Sequence, residues 1–389
     1  MSQVTIALST PLFTRLLAIA KAPKITTEWL LTATHLRVCD GQGMLFTIPF
    51  VTSHLPPDFR ATFDWDVLAS LKKVKKLNSV QLSFDDNSMQ GVLLYTANEI
   101  DFQSPFQWEK SDATINLPDA TQWVECDTTY LDTLATCSPF INYDSARYAL
   151  GGILQNGLYA YATNGKFMIR HEIGNDATLQ ALGSRIQEII TPAPKGVWGN
   201  KKLRNKATTI QVAFVDTSFF VRIDNLTVEA KSIDGKFPNC ENIINPFYET
   251  DYYKFVLDSN SVKWLIDNID TLPAKPADRN NADKVYLTID QAGFRLGGND
   301  SSTCAELLPN TAQAEIPQTE TKAQLWLDRE YLKILLRVAV TKQQCCFYLA
   351  KDSDAPLRIT SNDCILILMP LSLGADDTPF AGNVQTIRQ

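Results

Sequence analysis

Residues 226–239 read Leu-Thr-Val-Glu-Ala-Lys-Ser-Ile-Asp-Gly-Lys-Phe-Pro-Asn. In the first part of this stretch, Leu226, Val228 and Ala230 alternate with polar residues, which predicts a β-strand with one buried and one solvated face. The same alternation recurs outward along the chain, in Val4/Ile6/Leu8, Val80/Leu82/Phe84, Ile210/Val212/Phe214 and Val285/Leu287/Ile289. Most of the sequence is therefore predicted to form antiparallel sheets.

Composition narrows the class of protein. The chain has 389 residues, of which 45% are hydrophobic and 20% are charged, and this length predicts two or three soluble domains. No apolar run is long enough for a membrane helix. The first residues do not resemble a secretory signal, so a cytoplasmic location is expected. The eight cysteines are scattered and form no C-x-x-C pair, and there are only three histidines. We therefore expect reduced thiols, no metal site and no cofactor.

Helical periodicity appears in a few segments, and their spacing suggests repeats. The segments are 10–22, 64–77, 128–138, 195–205, 259–272 and 328–341. Corresponding segments lie about 118 to 133 residues apart. The sequence thus predicts an α+β protein of three similar domains, each mostly strand with two helices, at residues 1–117, 118–250 and 251–373, followed by an extension at 374–389.

The sequence contains none of four common catalytic or nucleotide-binding motifs. It has no G-x-G-x-x-G after a strand, no G-x-x-x-x-G-K-[ST], no G-x-S-x-G and no H-E-x-x-H. Asp64 and Asp66 suggest a metal pair, but their place at the start of a predicted helix favours complementing the helix dipole. An enzyme that uses these carboxylates is a minority hypothesis, and no catalytic residue is predicted.

Positive charge is concentrated on the predicted helices, although the net charge is −7. Lysines and arginines on smooth helix faces favour salt-dependent, sequence-independent contacts with phosphates. The predicted DNA-facing residues are Arg15, Lys21, Lys72, Lys73, Lys76, Arg147, Tyr148, Lys195, Lys201, Lys202, Arg204, Lys333 and Arg337.

Three motifs resemble the bacterial DNA sliding clamps, the beta subunits of the replicative DNA polymerase. They are Arg147–Leu154 with Tyr161–Lys166, Ser232–Asn239 with Ile243 and Ile244, and Ile367–Leu373. The resemblance implies three similar domains per protomer and a ring of two protomers joined head-to-tail. Helices would line the hole for duplex DNA, and antiparallel sheets would form the outside. It also implies a processivity factor that tethers a polymerase, a clamp loader and repair proteins.

The resemblance further implies a pocket, between the second and third domains, for short peptides rich in Gln, Leu and Phe. An apolar groove with a few polar groups suits such a peptide anchor. By position the pocket consists of Leu150, Thr163, Gly165, Lys166, Phe167, Met168, Pro238, Asn242, Ile243, Ile367, Leu368, Met369, Pro370, Leu371 and Ser372. The alternative is that these are ordinary core residues, and for Leu150 and Ile367 taken alone this alternative is favoured.

Several positions depart from the family pattern. The family usually has an acidic residue at Asn164, a histidine near Lys166, and arginines near Phe167, Asn242 and Ser372. Loss of the arginines should change which peptides bind. The extension at 374–389 is unusual too, because typical members of the family end close to Leu373. It could cover the pocket, contact a partner or be disordered, and the sequence does not decide between these alternatives.

Two further hypotheses concern assembly. By position, helix 259–272 and the strand around Ile100 and Phe102 are candidates for the interface between protomers. The alternative to a closed ring is a monomeric scaffold that keeps only the peptide pocket.

Overall fold

The computed structural model describes residues 4–20, 28–39, 43–144, 146–174, 188–193, 197–204, 207–245, 252–273, 283–290, 293–299, 304–310, 313–315, 323–350, 355–371 and 384–389. The chain divides into two compact units. Unit 1 consists of Met1–Ser138, Gln155–Leu158 and Ile173–Asp234, and unit 2 of Pro139–Leu154, Tyr159–Glu172 and Gly235–Gln389. The division into three domains remains a prediction.

The mixed α+β class is confirmed, and the helices are short. Three of the predicted segments form helices close to their predicted bounds: α1 (Thr10–Ile19), α3 (Thr128–Cys137) and α7 (Arg329–Ala339). Helix α6 (Ser259–Asn268) continues as a 3-10 turn over Ile269–Thr271. Helix α4 (Lys201–Arg204) is all that the described residues show of segment 195–205, and α5 (Glu241–Ile244) was not predicted.

Helix α2 (Trp65–Ala69) is much shorter than the predicted segment 64–77. A 3-10 turn extends it to Lys73, and Val74 is already extended, with φ −74° and ψ 123°. The reason is that Leu77 belongs to the next strand, whose alternating side chains are buried on one face. The strand pattern at residues 77–85 therefore overrides the helical pattern before it.

An aspartate recurs at helix starts. Asp127, Asp258 and Asp328 each accept a hydrogen bond from a backbone N–H in the first turn of α3, α6 and α7, at 2.8, 2.8 and 3.1 Å. Such caps satisfy donors that have no partner within the helix. Asp64 occupies the equivalent position before α2, in agreement with the helix-start interpretation of this residue. Helix α1 begins at Thr10, the first residue of its predicted segment, with Ser9 at the cap position.

Unit 1 is built on one extended sheet, whose main path runs β10-β15-β16-β17-β4-β1-β6-β7-β8. Its central strands pair antiparallel. The strands of this path are β1 (Val4–Leu8), β4 (Leu45–Ser53), β6 (Leu77–Asp85), β7 (Gln90–Ala97), β8 (Ile100–Gln107), β10 (Val124–Cys126), β15 (Ile210–Val215), β16 (Ser218–Ile223) and β17 (Leu226–Lys231). Off the path lie β2 (Glu28–Thr32), β3 (His35–Cys39), β5 (Arg60–Asp64) and β9 (Glu109–Lys110). Strand β14 (Ile189–Pro192) also belongs to this unit.

Strand β4 joins two predicted repeats. It pairs with β1 of the first repeat and also with β17 of the second, in the register Thr47 to Thr227 and Leu45 to Glu229. The buried pair Arg37–Glu229, with 3.0 Å between Nη2 and Oε2, spans the same junction. The sheet thus runs without a break from β1 of the first predicted repeat through β4 to β17 of the second.

Unit 2 contains two sheets. The first runs β11-β12-β13-β26-β25-β24-β18-β22, and the second β23-β19-β20-β21-β27. Their strands are β11 (Gly152–Asn156), β12 (Tyr159–Thr163), β13 (Phe167–Glu172), β18 (Tyr252–Asp258), β19 (Lys284–Asp290), β20 (Gly293–Asn299), β21 (Cys304–Leu308), β22 (Gln313–Glu315), β23 (Ala323–Asp328), β24 (Gln344–Ala350), β25 (Leu357–Thr360), β26 (Cys364–Leu368) and β27 (Val384–Arg388).

The C-terminal extension contributes the edge strand β27. It pairs parallel with β21, from Cys304 opposite Val384 to Leu308 opposite Arg388. The Gln389 N–H donates to the carbonyl of Leu308 at 3.2 Å, and the Gln389 Oε1 accepts from the Asn310 N–H at 2.9 Å. Part of the extension is therefore a regular element of the second sheet.

No helix among the described residues is long and apolar enough to cross a membrane.

Candidate functional site

The turn between β12 and β13 is fixed by short-range hydrogen bonds. The Asn164 Oδ1 accepts from the backbone N–H groups of Lys166 and Phe167, at 2.9 and 3.0 Å. The Thr163 hydroxyl donates to the carbonyl of Phe167 at 2.8 Å and accepts from the Gly165 N–H at 3.0 Å. Asn164 thus supplies the acceptor that an acidic residue would supply here, so this departure from the family pattern preserves the turn.

Strand β26 brings the C-terminal part of the predicted pocket against this turn. It pairs with β13 in the register Phe167 to Leu368 and Met168 to Ile367. Beyond the strand, the Met369 N–H donates to the carbonyl of Lys166 at 2.9 Å. The structure therefore brings together two motifs that lie about 200 residues apart.

Burial separates the predicted pocket residues into two groups. Six are at least nine-tenths buried and serve as core: Leu150, Thr163, Phe167, Met168, Ile367 and Leu368. The exposed residues are Gly165, Lys166, Asn242, Ile243 and Met369, and Pro238 and Pro370 are half-buried. Met369 and Ile243 are large apolar residues with 40% and 38% of their surface exposed. Only the exposed group can contact a peptide directly.

The segment after Gly235 places Pro238, Asn242 and Ile243. Gly235 has φ +144°, a conformation that favours glycine, and a Cβ there would lie 3.5 Å from the Cβ of Ala149. Phe237 is buried and anchors the segment before α5 begins. The positive φ thus explains Gly235, since a contact of 3.5 Å is ordinary, and burial of the ring explains Phe237.

A polar cluster beside α5 was not anticipated. The Tyr161 hydroxyl donates to the Glu241 Oε1 at 2.8 Å, and the Arg170 Nη1 donates to the same oxygen at 3.1 Å. The Arg170 guanidinium lies 4.6 Å from the ring centroid of Tyr159. Burial and the neighbouring Glu241 carboxylate raise the pKa of Tyr161. These contacts hold α5 against β12 and β13, and nothing in the sequence pattern except the residue types indicates them.

Tyr331 on α7 is a second residue that sequence reasoning missed as a site residue. Its ring centroid lies 4.7 Å from that of Phe167, and the Lys166 Nζ lies 5.7 Å from it. An ammonium at this distance is attracted by the face of the ring. The helical periodicity of segment 328–341 places Tyr331 among apolar residues, and this pattern does not indicate its contact with the turn.

Leu371 contacts the second sheet of unit 2. Its N–H donates to the carbonyl of Trp326 at 2.8 Å, and its side chain packs against Tyr286, Cys304 and Trp326 of the second sheet. Ser372 lies outside the described residues.

The predicted DNA-facing residues differ in their surroundings. Lys72, Lys73, Lys76 and Lys201 are exposed in unit 1, and Arg147, Tyr148 and Arg337 are exposed in unit 2. Lys202 and Arg204 lie on α4, and Lys21 and Lys195 lie outside the described residues.

Arg15 and Lys333, which are among the predicted DNA-facing residues, form ion pairs within the chain. The Arg15 Nη1 lies 2.6 Å from the Asp224 Oδ2, and the Lys333 Nζ lies 2.9 Å from the Asp270 Oδ1 and 3.2 Å from the Glu330 Oε1. Their charges are partly neutralised within the chain, so they are weaker candidates for phosphate contact than the exposed lysines.

Strand β8 is an edge strand of the unit 1 sheet, hydrogen-bonded in the described chain only to β7. Ile100 and Phe102 on it are 57% and 42% exposed. Exposed apolar residues on an open strand edge are typical of an interaction surface.

No protein-family model and no curated protein matches this sequence. Solved structures do match its fold. The DNA polymerase III subunit beta from Pseudomonas aeruginosa matches with a TM-score of 0.71 at 16% identity, covering 95% of this chain and 100% of its own. The DNA polymerase sliding clamps from Bacillus subtilis and Caulobacter crescentus match with TM-scores of 0.73 and 0.72, at 11% and 17% identity, covering 96% of this chain and 100% of their own. The chain therefore has the fold of the bacterial DNA polymerase sliding clamps.

Proposed function

We propose that this protein is a DNA polymerase processivity factor, a clamp that encircles duplex DNA and slides on it. The observation that carries this proposal is the sliding-clamp fold over 95% of the chain. In this role two protomers close head-to-tail into a ring in the cytoplasm, and each protomer consists of three clamp domains. The protein needs no cofactor and catalyses no reaction, because its effect is topological.

The exposed lysines support contact with DNA. Lys72 and Lys73 lie in the 3-10 extension of α2, Lys76 follows it, and Lys201 begins α4. Ammonium groups on flexible stems neutralise phosphates without reading bases. Contacts of this kind are weak, depend on salt and allow a protein to slide.

The exposed apolar residues support peptide binding. Met369 offers apolar surface beside the polar turn at Lys166, and Ile243 offers exposed apolar surface on α5. Apolar surface next to polar groups suits a short segment rich in Gln, Leu and Phe. Polymerase, clamp loader and repair proteins are the proposed partners. A sliding clamp from Pseudomonas aeruginosa, similar in fold, has been solved bound to griselimycin.

Retention on circular DNA tests the proposal. The protein is loaded on a nicked circular duplex and separated from free protein by gel filtration. A sliding ring stays with the circle and leaves after the circle is cut once. Loss from the intact circle, together with a solution mass near 43.5 kDa at micromolar concentration, would instead favour the monomeric scaffold.

A charge-reversal pair tests the DNA-facing assignment. Lys73→Glu with Lys201→Glu should lower loading at least tenfold at low salt, whereas Lys110→Glu with Lys231→Glu, an equal charge change at exposed positions elsewhere in unit 1, should leave it unchanged. Equal loading by the two double variants would contradict the assignment.

A further inference from the structure

A cleft in unit 1 lies between α1, the turn that follows α2, and α4. Its volume is about 560 Å³, within the range of about 300–1,000 Å³ that is usual for small-molecule sites. Its lining residues are Thr14, Leu17, Ala18, Leu71, Lys72, Val74, Lys76, Leu77, Asn200 and Lys201.

The rim of the cleft is positively charged. Lys72, Lys76 and Lys201 line it, and no acidic residue does so among the described residues. Lys110, Lys333 and Lys342, by contrast, each pair with a carboxylate. The Lys72 Nζ lies 3.5 Å from the carbonyl of Ala20, a neutral acceptor that does not cancel its charge. Three ammonium groups at one opening repel one another, and an anion bound between them removes this cost.

Lys76 is held at the cleft by an unusual backbone conformation. Its φ is +53°, in the left-handed region that non-glycine residues rarely adopt. The Asn98 N–H donates to the carbonyl of Lys76 at 3.3 Å, and the Asn98 side-chain amide donates to the carbonyl of Lys75 at 3.5 Å. Such conformations persist where the surroundings enforce them, and they cluster at ligand-binding sites.

The floor of the cleft is apolar. Leu17 and Leu71 are 3% exposed, and Val74 and Leu77 are half-buried beside them. A phosphate of a continuous duplex contacts charged groups on a surface and does not fill an apolar recess. A ligand that fills this cleft therefore combines negative charge with a flat or apolar group, which is the chemistry of a nucleotide.

We propose that the cleft binds one unpaired nucleotide of a DNA strand, with its base on the apolar floor and its phosphates between Lys72, Lys76 and Lys201. This deepens the proposed function, on which it rests, because it assigns to unit 1 a site for the single-stranded part of a primer–template junction. An unpaired base enters such a pocket at the lowest cost, since no base pair has to be broken.

Two pairs of neighbouring lysines, of which only one pair lines the cleft, give a matched test. Lys72 and Lys76 line the cleft, whereas their neighbours Lys73 and Lys75 are equally exposed and do not. The probes are a fluorescein-labelled duplex with a five-nucleotide single-stranded overhang and a blunt duplex with the same number of phosphates. Binding is followed by fluorescence anisotropy. Lys72→Glu with Lys76→Glu should weaken binding of the overhang probe at least tenfold more than binding of the blunt probe, whereas Lys73→Glu with Lys75→Glu should weaken both probes equally.

An uncharged variant tests the floor. Val74→Asn should weaken overhang binding several-fold and leave blunt-duplex binding unchanged, with an unchanged far-UV circular dichroism spectrum. If both lysine pairs weaken both probes equally, or if Val74→Asn has no effect, the cleft is only part of a charged surface and the proposal is wrong. Retention on circular DNA tests the clamp proposal separately. The two negative results above would contradict only the cleft proposal, whereas failure of retention would contradict the clamp proposal itself.

Discussion

The backbone N–H of Met369 lies 2.9 Å from the carbonyl oxygen of Lys166. This hydrogen bond extends the β13–β26 ladder by one step beyond the last residue of β26. Because the main chain of Met369 is held there, its side chain remains 40% exposed beside the turn. A fixed backbone that presents an exposed apolar side chain loses little entropy when a partner binds.

Peptide binding should therefore depend on exposed side chains of unit 2. Met369→Ala with Ile243→Ala removes two such side chains, and we expect at least a tenfold loss of affinity for a short peptide rich in Gln, Leu and Phe, measured by isothermal titration calorimetry. Leu158→Ala is the control, since Leu158 is 47% exposed in unit 1. Leu371 is left unchanged because it packs against Trp326. Unaltered affinity in the double variant would refute the pocket.

Acid stability should depend on the Arg15–Asp224 pair. Burial alone would raise the pKa of Asp224, but hydrogen bonds from Arg15, Thr208 and Thr209 outweigh it and lower the pKa to about 2. The pair therefore stabilises the protein fully above about pH 4, and this stabilisation is lost as the pH falls from 4 towards 2. Arg15→Ala should lower the free energy of unfolding at pH 6 by about 1–3 kcal/mol and flatten its decline below pH 4.

Urea unfolding at pH values from 2 to 6 measures this effect. Lys110→Ala is the matched control, because Lys110 and Asp86 form an exposed pair and such pairs contribute little. A parallel decline with pH in the wild type and in Arg15→Ala would show that Asp224 does not carry the acid sensitivity.

The edge strand β27 allows a test with two prolines. The Gln389 N–H points to β21, and N–H groups alternate sides along a strand. The N–H of Ile387 therefore also points to β21, whereas that of Thr386 points away. Ile387→Pro should lower the midpoint of thermal unfolding by several degrees, and Thr386→Pro should lower it much less. Equal shifts in differential scanning calorimetry would mean that β27 does not contribute to the stability of the sheet.

Thiol reactivity should divide the cysteines. Cys39 and Cys346 are half-buried, and the other six are buried. Burial, with help from neighbouring acids, raises the pKa of Cys126 and Cys240 to about 12, and the thiolate is the reactive form. With Ellman's reagent at pH 8 we expect two fast thiols in the folded protein and all eight in urea. More than two fast thiols without urea would contradict this burial pattern.

Sequence patterns predicted the strands and helices that are determined by residues close together in the sequence. The alternating strands and helices α1, α3, α6 and α7 follow from periodicity, and α3, α6 and α7 also follow a capping aspartate. Helix α2 was predicted too long, because the strand after it begins inside the helical pattern. The resemblance located the Lys166 turn, but it could not reveal Tyr331, whose contact with Phe167 depends on tertiary packing.

Features that depend on distant residues were beyond sequence reasoning. The partner of Arg15 is Asp224, more than 200 residues away, and no local pattern connects them. Strand β27 is short and polar, so its pairing with β21 has no periodic signal. The cleft lined by Lys72, Lys76 and Lys201 requires three segments to meet, whereas the sequence showed only that these residues are basic.

The double role of β4 has a mechanical consequence. Since β4 is hydrogen-bonded to β1 near its C-terminal end and to β17 near its N-terminal end, the first two repeats cannot bend apart at this strand without breaking main-chain hydrogen bonds together with the buried Arg37–Glu229 pair. Bending at this seam is therefore far costlier than the hinge motions usual at linkers between domains. If a loader opens the protein to admit DNA, the force it applies must separate some other contact. The junction at β4 would stay rigid and transmit that force from one repeat to the next.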